Sequence, residues 1–389
     1  MAKEKPIQVV VATRLFAPEV GAAAFRLKAL VDGLVQQGAQ VTVLTTKLPP
    51  EAPVFKPVYK VSRWPVLRDA SGYVRGYVQY LSFDIPLFFR LLLTRADVVV
   101  SEPPPTTGVV VALSSALCRR PFVYYAADIW SEALSAMDVS SIVKNVLGAV
   151  EGFVLRRATA VVAVSEPVAE QVAKFGVPYE RIHVVGNGVD TSVFGPSGAT
   201  AHAENPYFIY TGTMSEWQGA GIFIEALGKV LTEYPETEIH FFGQGTDEPH
   251  LKELAEATVP GKVHFGGVVP PAQAAAWIRG ATGALVSIKP EQGYDFAKPT
   301  KIYAAAGCGT PVIFAGQGDG AAVVHDNELG IATQYTASAV AEAMLKLLRD
   351  PDQSRAQRSS WVANNASLQA SGKLAAAEVI ASHGKPISP

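Results

Sequence analysis

The sequence alternates short β-branched runs with segments of helix length, and it does so twice along the chain. The first run, at 7–11, is almost continuously apolar, and the segment after it carries leucine and valine at the spacing of one helix face. Strands that are apolar on both sides and separated by helices form parallel sheets covered on both faces. The first series therefore predicts such a sheet, with further strands at 41–44, 98–100, 122–125 and 160–164.

The pattern restarts after 186–198, a segment rich in turn-forming residues that is typical of a linker. The second series predicts strands at 208–210, 238–242, 263–265, 284–288 and 311–314. Together they predict an α/β protein with two doubly wound, Rossmann-like domains, at 1–195 and 200–360, and a ligand cleft between them. We expect residues 361–389 to form a helix that packs back on the N-terminal domain.

Composition limits the classes of protein to consider. The 389 residues are 49% hydrophobic with a formal net charge of -2, which predicts a large core and argues against a nucleic-acid partner. Cys118 and Cys308 lack the spacing of metal ligands, which favours a reducing compartment. No signal-peptide pattern is visible, and the most apolar stretch, 81–93, contains charged residues and a proline. We therefore expect a cytoplasmic protein without a membrane span.

Two common nucleotide-binding motifs are absent from the sequence. The Gly-Gln-Gly segment at 243–245 lacks the third glycine of the dinucleotide fingerprint and comes late in its domain, and no P-loop is present. The Asp-Pro-Asp segment at 350–352 follows a helical run and is interpreted as a solvated helix end. The sequence thus argues against an oxidoreductase and predicts no metal site.

Two helix N-termini are instead suited to bind phosphate. Gly21, followed by Ala22 and Ala23, opens the first helix and lets an anion approach backbone amides, although an ordinary tight turn explains the same residues. In the second domain Thr300 is positioned to cap a helix whose first turn carries Lys301. A cation there opposes the helix dipole by ~0.3–1 kcal/mol. A charge-assisted contact with an anion contributes ~1.5–3 kcal/mol, which offsets that cost. Lys298 is expected to be solvated.

Seven short segments resemble, in order and spacing, those of the GT-B fold glycosyltransferases of family 4. They lie at 16–22, 164–166, 187–194, 210–212, 242–245, 263–268 and 309–313. Within that family, Asp-Ile-Trp-Ser-Glu at 128–132 and Pro-Thr-Lys-Ile-Tyr at 299–303 are similar to the subgroup of O-antigen N-acetyl-L-fucosamine transferases. The resemblance covers nearly the whole chain.

Three departures from the family pattern concern charged or titratable groups. Ala304, with Phe296 eight residues before it, stands where many members carry the second glutamate of a Glu-x7-Glu pair. The segment 213–219 lacks the usual Arg/Lys pair, and the first 182 residues contain no histidine. We therefore expect the charge of a diphosphate to be balanced by Lys301, by helix termini or by an arginine such as Arg26.

The resemblance implies a retaining transfer of a sugar from a UDP- or GDP-linked donor to a hydroxyl acceptor, without a metal or other cofactor. It suggests a role in assembling a cell-surface polysaccharide or glycolipid. Asp128 and Lys301 are the candidate catalytic residues; Asp128 would position the acceptor hydroxyl or accept its proton, and the alternative is a helix cap. The implied donor-binding residues are Gly21, Ala22, Gly212, Thr213, Gln218, Gly243, Gly267, Val268, Glu291, Thr300 and Lys301. Glu291 is equally well explained as an exposed loop carboxylate.

The segment 73–93 mixes aromatic residues with Arg75 and Arg90, and further arginines follow at 95, 119 and 120. This mixture suits contact with the inner face of a membrane that bears a lipid-linked acceptor, and it equally suits an ordinary core helix with a basic rim. Two other functions remain open. One is a GT-B sugar-nucleotide 2-epimerase, which the histidine-free first half disfavours. The other is a catalytically silent nucleotide-sugar-binding pseudoenzyme or assembly subunit, which the departures favour.

Overall fold

The computed structural model describes residues 5–19, 21–49, 55–69, 74, 76–131, 141–292, 294–295, 297–350 and 354–385. The chain forms two compact units: unit 1 comprises Met1–Asn187 and Leu368–Pro389, and unit 2 comprises Gly188–Ser367. Each unit is built on its own parallel sheet, which confirms the predicted fold class. Arg75, Glu132, Phe296 and the Asp-Pro-Asp proline and second aspartate, all singled out in the sequence, lie outside the described residues.

Unit 1 contains a seven-stranded sheet in the order β3-β2-β1-β4-β5-β6-β7. Its strands are β1 (Gln8–Ala12), β2 (Gln40–Thr46), β3 (Lys60–Trp64), β4 (Val98–Ser101), β5 (Phe122–Ala126), β6 (Ala160–Ala163) and β7 (Ile182–Val184). Its helices include α1 (Ala22–Gln36), α2 (Tyr77–Leu93), α3 (Pro105–Leu117), α4 (Ser141–Arg157) and α5 (Glu166–Lys174). The central strands are buried on both faces, which is why they read as continuous apolar runs.

Unit 2 contains a six-stranded sheet in the order β10-β9-β8-β11-β12-β13. Its strands are β8 (Tyr207–Thr211), β9 (Glu238–Phe242), β10 (Val263–Phe265), β11 (Gly283–Ser287), β12 (Val312–Ala315) and β13 (Gly330–Thr333). Its helices are α6 (Gly221–Val230), α7 (Glu248–Thr258), α8 (Pro271–Gly280), α9 (Thr300–Gly307), α10 (Asp319–Asp326), α11 (Ala337–Arg349) and α12 (Arg355–Asn365). In both sheets the strand order reverses beside the first strand of the series, and ligands of such sheets bind near that point.

Three edge strands, β3, β7 and β13, are absent from the sequence prediction. Their residues are only partly buried, so their sequences lack a continuous apolar run. Edge strands have a neighbour on one side only and are often short and polar. The periodicity of the sequence therefore identifies the interior of each sheet better than its edges.

The segment after the first sheet is held by unit 2. The Arg279 guanidinium donates hydrogen bonds to the carbonyl oxygens of Val193 (3.3 Å), Gly195 (3.1 Å) and Ala199 (2.8 Å). Residues 188–195, which the sequence assigned to the N-terminal domain, consequently group with unit 2. Three hydrogen bonds from a buried arginine hold this segment against unit 2, so it is part of that unit and not a free linker.

The last helix, α13 (Leu368–Ala381), returns to unit 1 and packs along α1. The two helices approach closely at a pair of glycines. A Cβ atom added to Gly372 would lie 2.3 Å from the carbonyl oxygen of Ala29, and one added to Gly33 would lie 2.7 Å from the carbonyl oxygen of Gly372. No real Cβ atom fits at such distances, so this crossing requires glycine on both helices.

We predict that Gly372→Val lowers the free energy of unfolding by about 1–3 kcal/mol, because the side chain forces α13 away from α1. Ala377→Val is the matched control, since Ala377 is exposed on the same helix. Urea denaturation of both variants measures the difference. Equal stability of the two variants would show that the helices do not depend on this close approach.

Candidate functional site

Glycines follow the carboxyl ends of three neighbouring strands in unit 2. Gly212, Gly243 and Gly267 come just after β8, β9 and β10, and all three have positive φ (104°, 140° and 65°). The Gly212 N–H donates to the Phe242 carbonyl and the Gly243 N–H to the Gly267 carbonyl, both at 2.8 Å. A Cβ atom on Gly243 would lie 1.9 Å from the Gly212 carbonyl oxygen. The three loops thus pack against one another, and at these glycines no side chain covers the backbone.

A cavity of about 520 Å³ opens beside these loops, and we call it the unit 2 cavity. Seven of the predicted donor-binding residues line it: Gly212, Thr213, Gln218, Gly243, Val268, Thr300 and Lys301. Gly267 is next to the lining residue Val268 but is not itself on the wall. Glu291 also does not line this cavity; it is exposed in a turn with φ of 62°. The sequence therefore identifies much of one wall, and the exposed position of Glu291 matches the alternative of a loop carboxylate.

Lys301 stands on the first turn of α9, as the sequence predicts. Its ammonium nitrogen Nζ lies 3.8 Å from the centre of the Tyr210 ring and 3.4 Å from the carbonyl oxygen of Thr213. The side chain passes over Gly212, where an added Cβ atom would be 3.9 Å from Nζ. Among the described residues no carboxylate lies within 4.0 Å of this ammonium group. Burial lowers the pKa of Lys301 to about 7.

The predicted cap of this helix is wrong. Pro299 occupies the N-cap position with φ of -57° and ψ of 130°, and no side chain caps the helix. Thr300 already has helical geometry, so its hydroxyl is one position too late to accept from the first free N–H groups. The uncapped N-terminus keeps the positive end of the helix dipole available to an anion.

The other lysine of this loop has a partner. Lys298 also lines the cavity, but its ammonium group lies 3.3 Å from a carboxylate oxygen of Asp319. The two side chains are 44% and 48% exposed. The charge of Lys298 is thus locally balanced, whereas that of Lys301 is not.

An aromatic wall of the unit 2 cavity was not predicted. Trp217 lines the cavity and stacks on Tyr294, with ring centres 4.5 Å apart and planes inclined by 26°. Phe194 and Phe242 also line it. The tryptophan stands in the same loop as Thr213 and Gln218, two of the predicted donor-binding residues. An aromatic residue beside a glycine loop is the signal that could have found it.

Unit 1 has a cavity of about 480 Å³ at the carboxyl ends of β1, β4 and β5, which we call the unit 1 cavity. Gly21 and Asp128 line it, whereas the exposed Ala22 does not. A Cβ atom on Gly21 would lie 2.8 Å from Cδ2 of Leu15, the end of a flexible side chain, so this contact does not by itself require glycine. The helix that Gly21 precedes, α1, has no side-chain cap.

A buried ion pair lies at the wall of the unit 1 cavity. Arg26, which we expected to balance a diphosphate, lies 3.2 Å from a carboxylate oxygen of Glu102. The hydroxyl of Thr13 donates to the other oxygen at 2.6 Å. Burial raises the pKa of the Glu102 carboxyl, and Arg26 opposes that rise. The charge of Arg26 is therefore balanced by Glu102 and is not available to a diphosphate.

Arg14 is the cation of this cavity without an ion-pair partner among the described residues. Its guanidinium carbon lies 3.9 Å from the centre of the Tyr80 ring. One guanidinium nitrogen, Nη1, is buried and has no hydrogen-bond partner in the described part of the chain. Both residues line the unit 1 cavity, and neither was singled out there from the sequence.

Asp128 is exposed in this cavity, and partial desolvation by the walls raises its pKa while Arg26 lowers it. The alternative function as a helix cap is taken by another residue. The backbone N–H groups of Trp130 and Ser131 donate to the two carboxylate oxygens of Glu151, each at 2.9 Å. Asp128 lines the cavity, and a hydrogen bond with Trp130 also lowers its pKa.

Comparisons with known proteins agree with this architecture. The family model of the glycosyl transferase 4-like domain matches residues 21–188, and the model of the glycosyl transferases group 1 matches residues 205–350. Among solved structures, the Anabaena protein HepE in complex with UDP has a TM-score of 0.62 at 17% identity. That match covers 97% of this chain and 100% of HepE. At 17% identity the match shows a shared fold and nothing more specific.

Two curated relatives are D-inositol 3-phosphate glycosyltransferases. The one from Pseudarthrobacter chlorophenolicus is 26% identical over 219 residues, which is 51% of this chain and 51% of the relative. The one from Acidothermus cellulolyticus is 28% identical over 224 residues, 53% of this chain and 48% of the relative. The chain thus spans about half the length of these relatives.

We predict that the Lys301 ammonium group titrates near pH 7 in the ligand-free protein, because burial disfavours its charged form. Mass spectrometry after brief acylation at a series of pH values measures the titration, with the denatured chain as reference. Bound anion favours the charged form, so anion affinity should be highest below pH 7 and fall as the pH rises above it. A midpoint near 10.5, the ordinary value for a lysine, would contradict the desolvation.

Proposed function

Because the chain belongs to the group 1 glycosyltransferases with a glycosyl transferase 4-like domain, we propose that it transfers a sugar from a nucleoside diphosphate sugar to a hydroxyl acceptor. The transfer retains the anomeric configuration and needs no metal. The observation that carries the proposal is the Lys301 ammonium group, which is desolvated and stands at an uncapped helix N-terminus beside a cavity. Within the described part of the chain it has no carboxylate within 4.0 Å.

The diphosphate of the donor binds between Lys301 and the backbone at Gly212 and Thr213. An anion there contacts the ammonium group and the free N–H groups of α9, whose dipole favours negative charge. During transfer the leaving diphosphate gains charge, so a fixed cation at this place stabilises the transition state more than the ground state. Lys301 thus serves both donor binding and catalysis.

The nucleoside lies along the backbone of 266–269, where Val268 and Val269 form an apolar wall. Gly243 and Gly267 allow the close approach that a flat base and a ribose require. HepE was solved with UDP and with UDP-glucose, which favours a uridine diphosphate donor. Trp217 provides an aromatic face on the same cavity wall.

The acceptor hydroxyl binds in the unit 1 cavity at Asp128. A carboxyl group with a raised pKa is a better proton acceptor than an ordinary aspartate, and it can orient a hydroxyl group by a hydrogen bond. A carbohydrate or glycolipid of the cell surface fits a polar cavity of this size. The phosphate in the name of the curated relatives' substrate favours an acceptor with an anionic group, for which Arg14 is the available cation.

A catalytically silent nucleotide-sugar-binding protein is the second candidate. Ala304 lines the unit 2 cavity where many family members carry a glutamate, and no cation is present at 213–219. These two departures remove contacts to the donor without removing Lys301. Turnover distinguishes the two candidates.

We predict that Lys301→Ala weakens binding of UDP and UDP-sugars by about 10- to 100-fold, the loss of one charge-assisted contact. Calorimetry measures the affinity, and release of UDP from a panel of UDP- and GDP-sugars measures turnover. Lys298→Ala is the matched control, since Asp319 already balances that lysine. Unchanged affinity in Lys301→Ala would reject the assigned site. Tight binding without hydrolysis or transfer across the panel would favour the silent protein.

We also propose that one face of α2 rests on a membrane surface. Leu81, Ile85 and Phe89 follow one another at helical spacing and are 51%, 57% and 59% exposed. Arg90 and Arg120, two of the arginines considered for lipid contact, donate to the carbonyl oxygens of Ser62 and of Thr94 and Leu91. Within the described ranges no helix has the length and apolarity to cross a bilayer. The contact is therefore apolar and peripheral.

We predict that the protein co-sediments with vesicles of anionic lipid and that the triple change Leu81→Ser, Ile85→Ser, Phe89→Ser abolishes this binding. Because the arginines nearest this face are engaged within the protein, binding should persist at high salt. Leu374→Ser is the control, since Leu374 is 56% exposed on α13 of the same unit. A protein that stays in the supernatant at both salt concentrations would exclude the membrane contact.

A further inference from the structure

Two histidines and a glutamate meet at the start of β9, away from both cavities. Glu238 is the first residue of this strand, and His240, two residues on, points to the same face of the sheet. His264 in β10 is paired in register with His240. The parallel pairing therefore brings together three side chains that are 26 residues apart at most. None of them lines the unit 2 cavity, whereas Phe242 at the other end of β9 does.

The distances within this cluster match those of a metal site. One carboxylate oxygen of Glu238, Oε2, lies 3.2 Å from Nε2 of His240 and 3.2 Å from Nε2 of His264. The three potential ligand atoms all lie within 4.8 Å of one another. A tetrahedral zinc ion with bonds of about 2.0–2.1 Å separates its ligand atoms by about 3.3 Å. Both distances to the carboxylate thus already have the required length.

Neighbouring side chains orient two of the three groups. The side-chain amide of Asn205 donates to the other Glu238 oxygen, Oε1, at 2.8 Å, which directs Oε2 toward the histidines. The His240 ring stacks on Trp277, with centres 5.0 Å apart and planes inclined by 27°. Such outer contacts fix ligand geometry in metal sites. His264 is 44% exposed, which leaves one side open for the entry of an ion and for a water ligand.

We propose that Glu238, His240 and His264 bind a divalent transition metal, with Zn²⁺ as the ion that fits best. Two imidazole nitrogens and one carboxylate oxygen suit zinc and its neighbours, whereas Mg²⁺ and Ca²⁺ prefer oxygen ligands throughout. The ion would link the edge strand β10 to β9. It would thereby support the 266–269 loop that follows β10, and its effect on the unit 2 cavity would be structural.

The sequence does not reveal this site because its ligands come from two strands. Histidines 24 positions apart follow no metal-binding motif, and only the register of β9 and β10 makes them neighbours. Without a metal, Glu238 forms a hydrogen bond with the His240 ring and lies 3.2 Å from Nε2 of His264. Measured zinc binding distinguishes a metal site from a cluster without a metal.

The test uses the full chain without an affinity tag, carrying Cys118→Ser, because the exposed Cys118 thiol is a competing zinc ligand. Calorimetry with ZnCl₂ should show one equivalent bound with a Kd of 10 µM or tighter, on the order expected for three protein ligands. Added Zn²⁺ should raise the melting temperature by several degrees. His264→Ala and Glu238→Gln should each weaken binding at least tenfold.

The control is His325→Ala, which removes an exposed histidine beside Asp326 in the same unit and should leave zinc binding unchanged. Co²⁺ in place of Zn²⁺ should give the strong visible absorption of tetrahedral cobalt, and His264→Ala should abolish it. The absorption reports the site directly, even where a variant is less stable. If the protein does not bind zinc, or if His264→Ala binds it equally well, the proposed metal site is rejected.

Discussion

The approach of the Gly243 backbone to the Gly212 carbonyl is the constraint on which the unit 2 cavity depends. A Cβ atom at Gly243 would lie 1.9 Å from that oxygen, so no other residue can stand there without separating the loops after β8 and β9. The positive φ angles of both glycines add a second requirement for this residue type. The result is a surface of bare backbone at the carboxyl edge of the sheet, where parallel α/β folds bind ligands.

Lys301 gives this surface its chemistry. The ammonium group is desolvated beside the helix N-terminus, and the Tyr210 ring and the Thr213 carbonyl are the groups that attract it among the described residues. The depressed pKa is the measure of that unfavourable environment in the ligand-free protein. An anion at the same place reverses the balance, because it pairs with the ammonium group and with the helix dipole together. The lysine therefore couples the protonation state of the site to its occupancy.

The sequence predicts the fold and part of the cavities for physical reasons. Buried central strands are apolar on both faces, so β1, β4, β8 and β11 are visible as runs, while the partly exposed β3, β7 and β13 are not. The sequence draws attention to Lys301 because a cation at a helix N-terminus opposes the helix dipole. The Thr300 cap fails by one residue, since the geometry of Pro299 fixes where the helix begins. The pairing of Arg26 with Glu102 and the capping by Glu151 depend on tertiary contacts that no local pattern encodes.

The replacement of a glutamate by Ala304 acts on the same helix as Lys301. Residues three apart in a helix share a face, so a carboxylate at 304 would lie one turn beyond the ammonium group on the cavity side. Such a group would bind the ribose, and it would also attract the lysine. With alanine there, 9% exposed on the wall, no carboxylate at 304 competes for the charge of Lys301. Under the proposed function, the site would lack a contact to the ribose and keep the contact of Lys301 with the leaving diphosphate. Recognition would then rest on the diphosphate and on the 266–269 backbone.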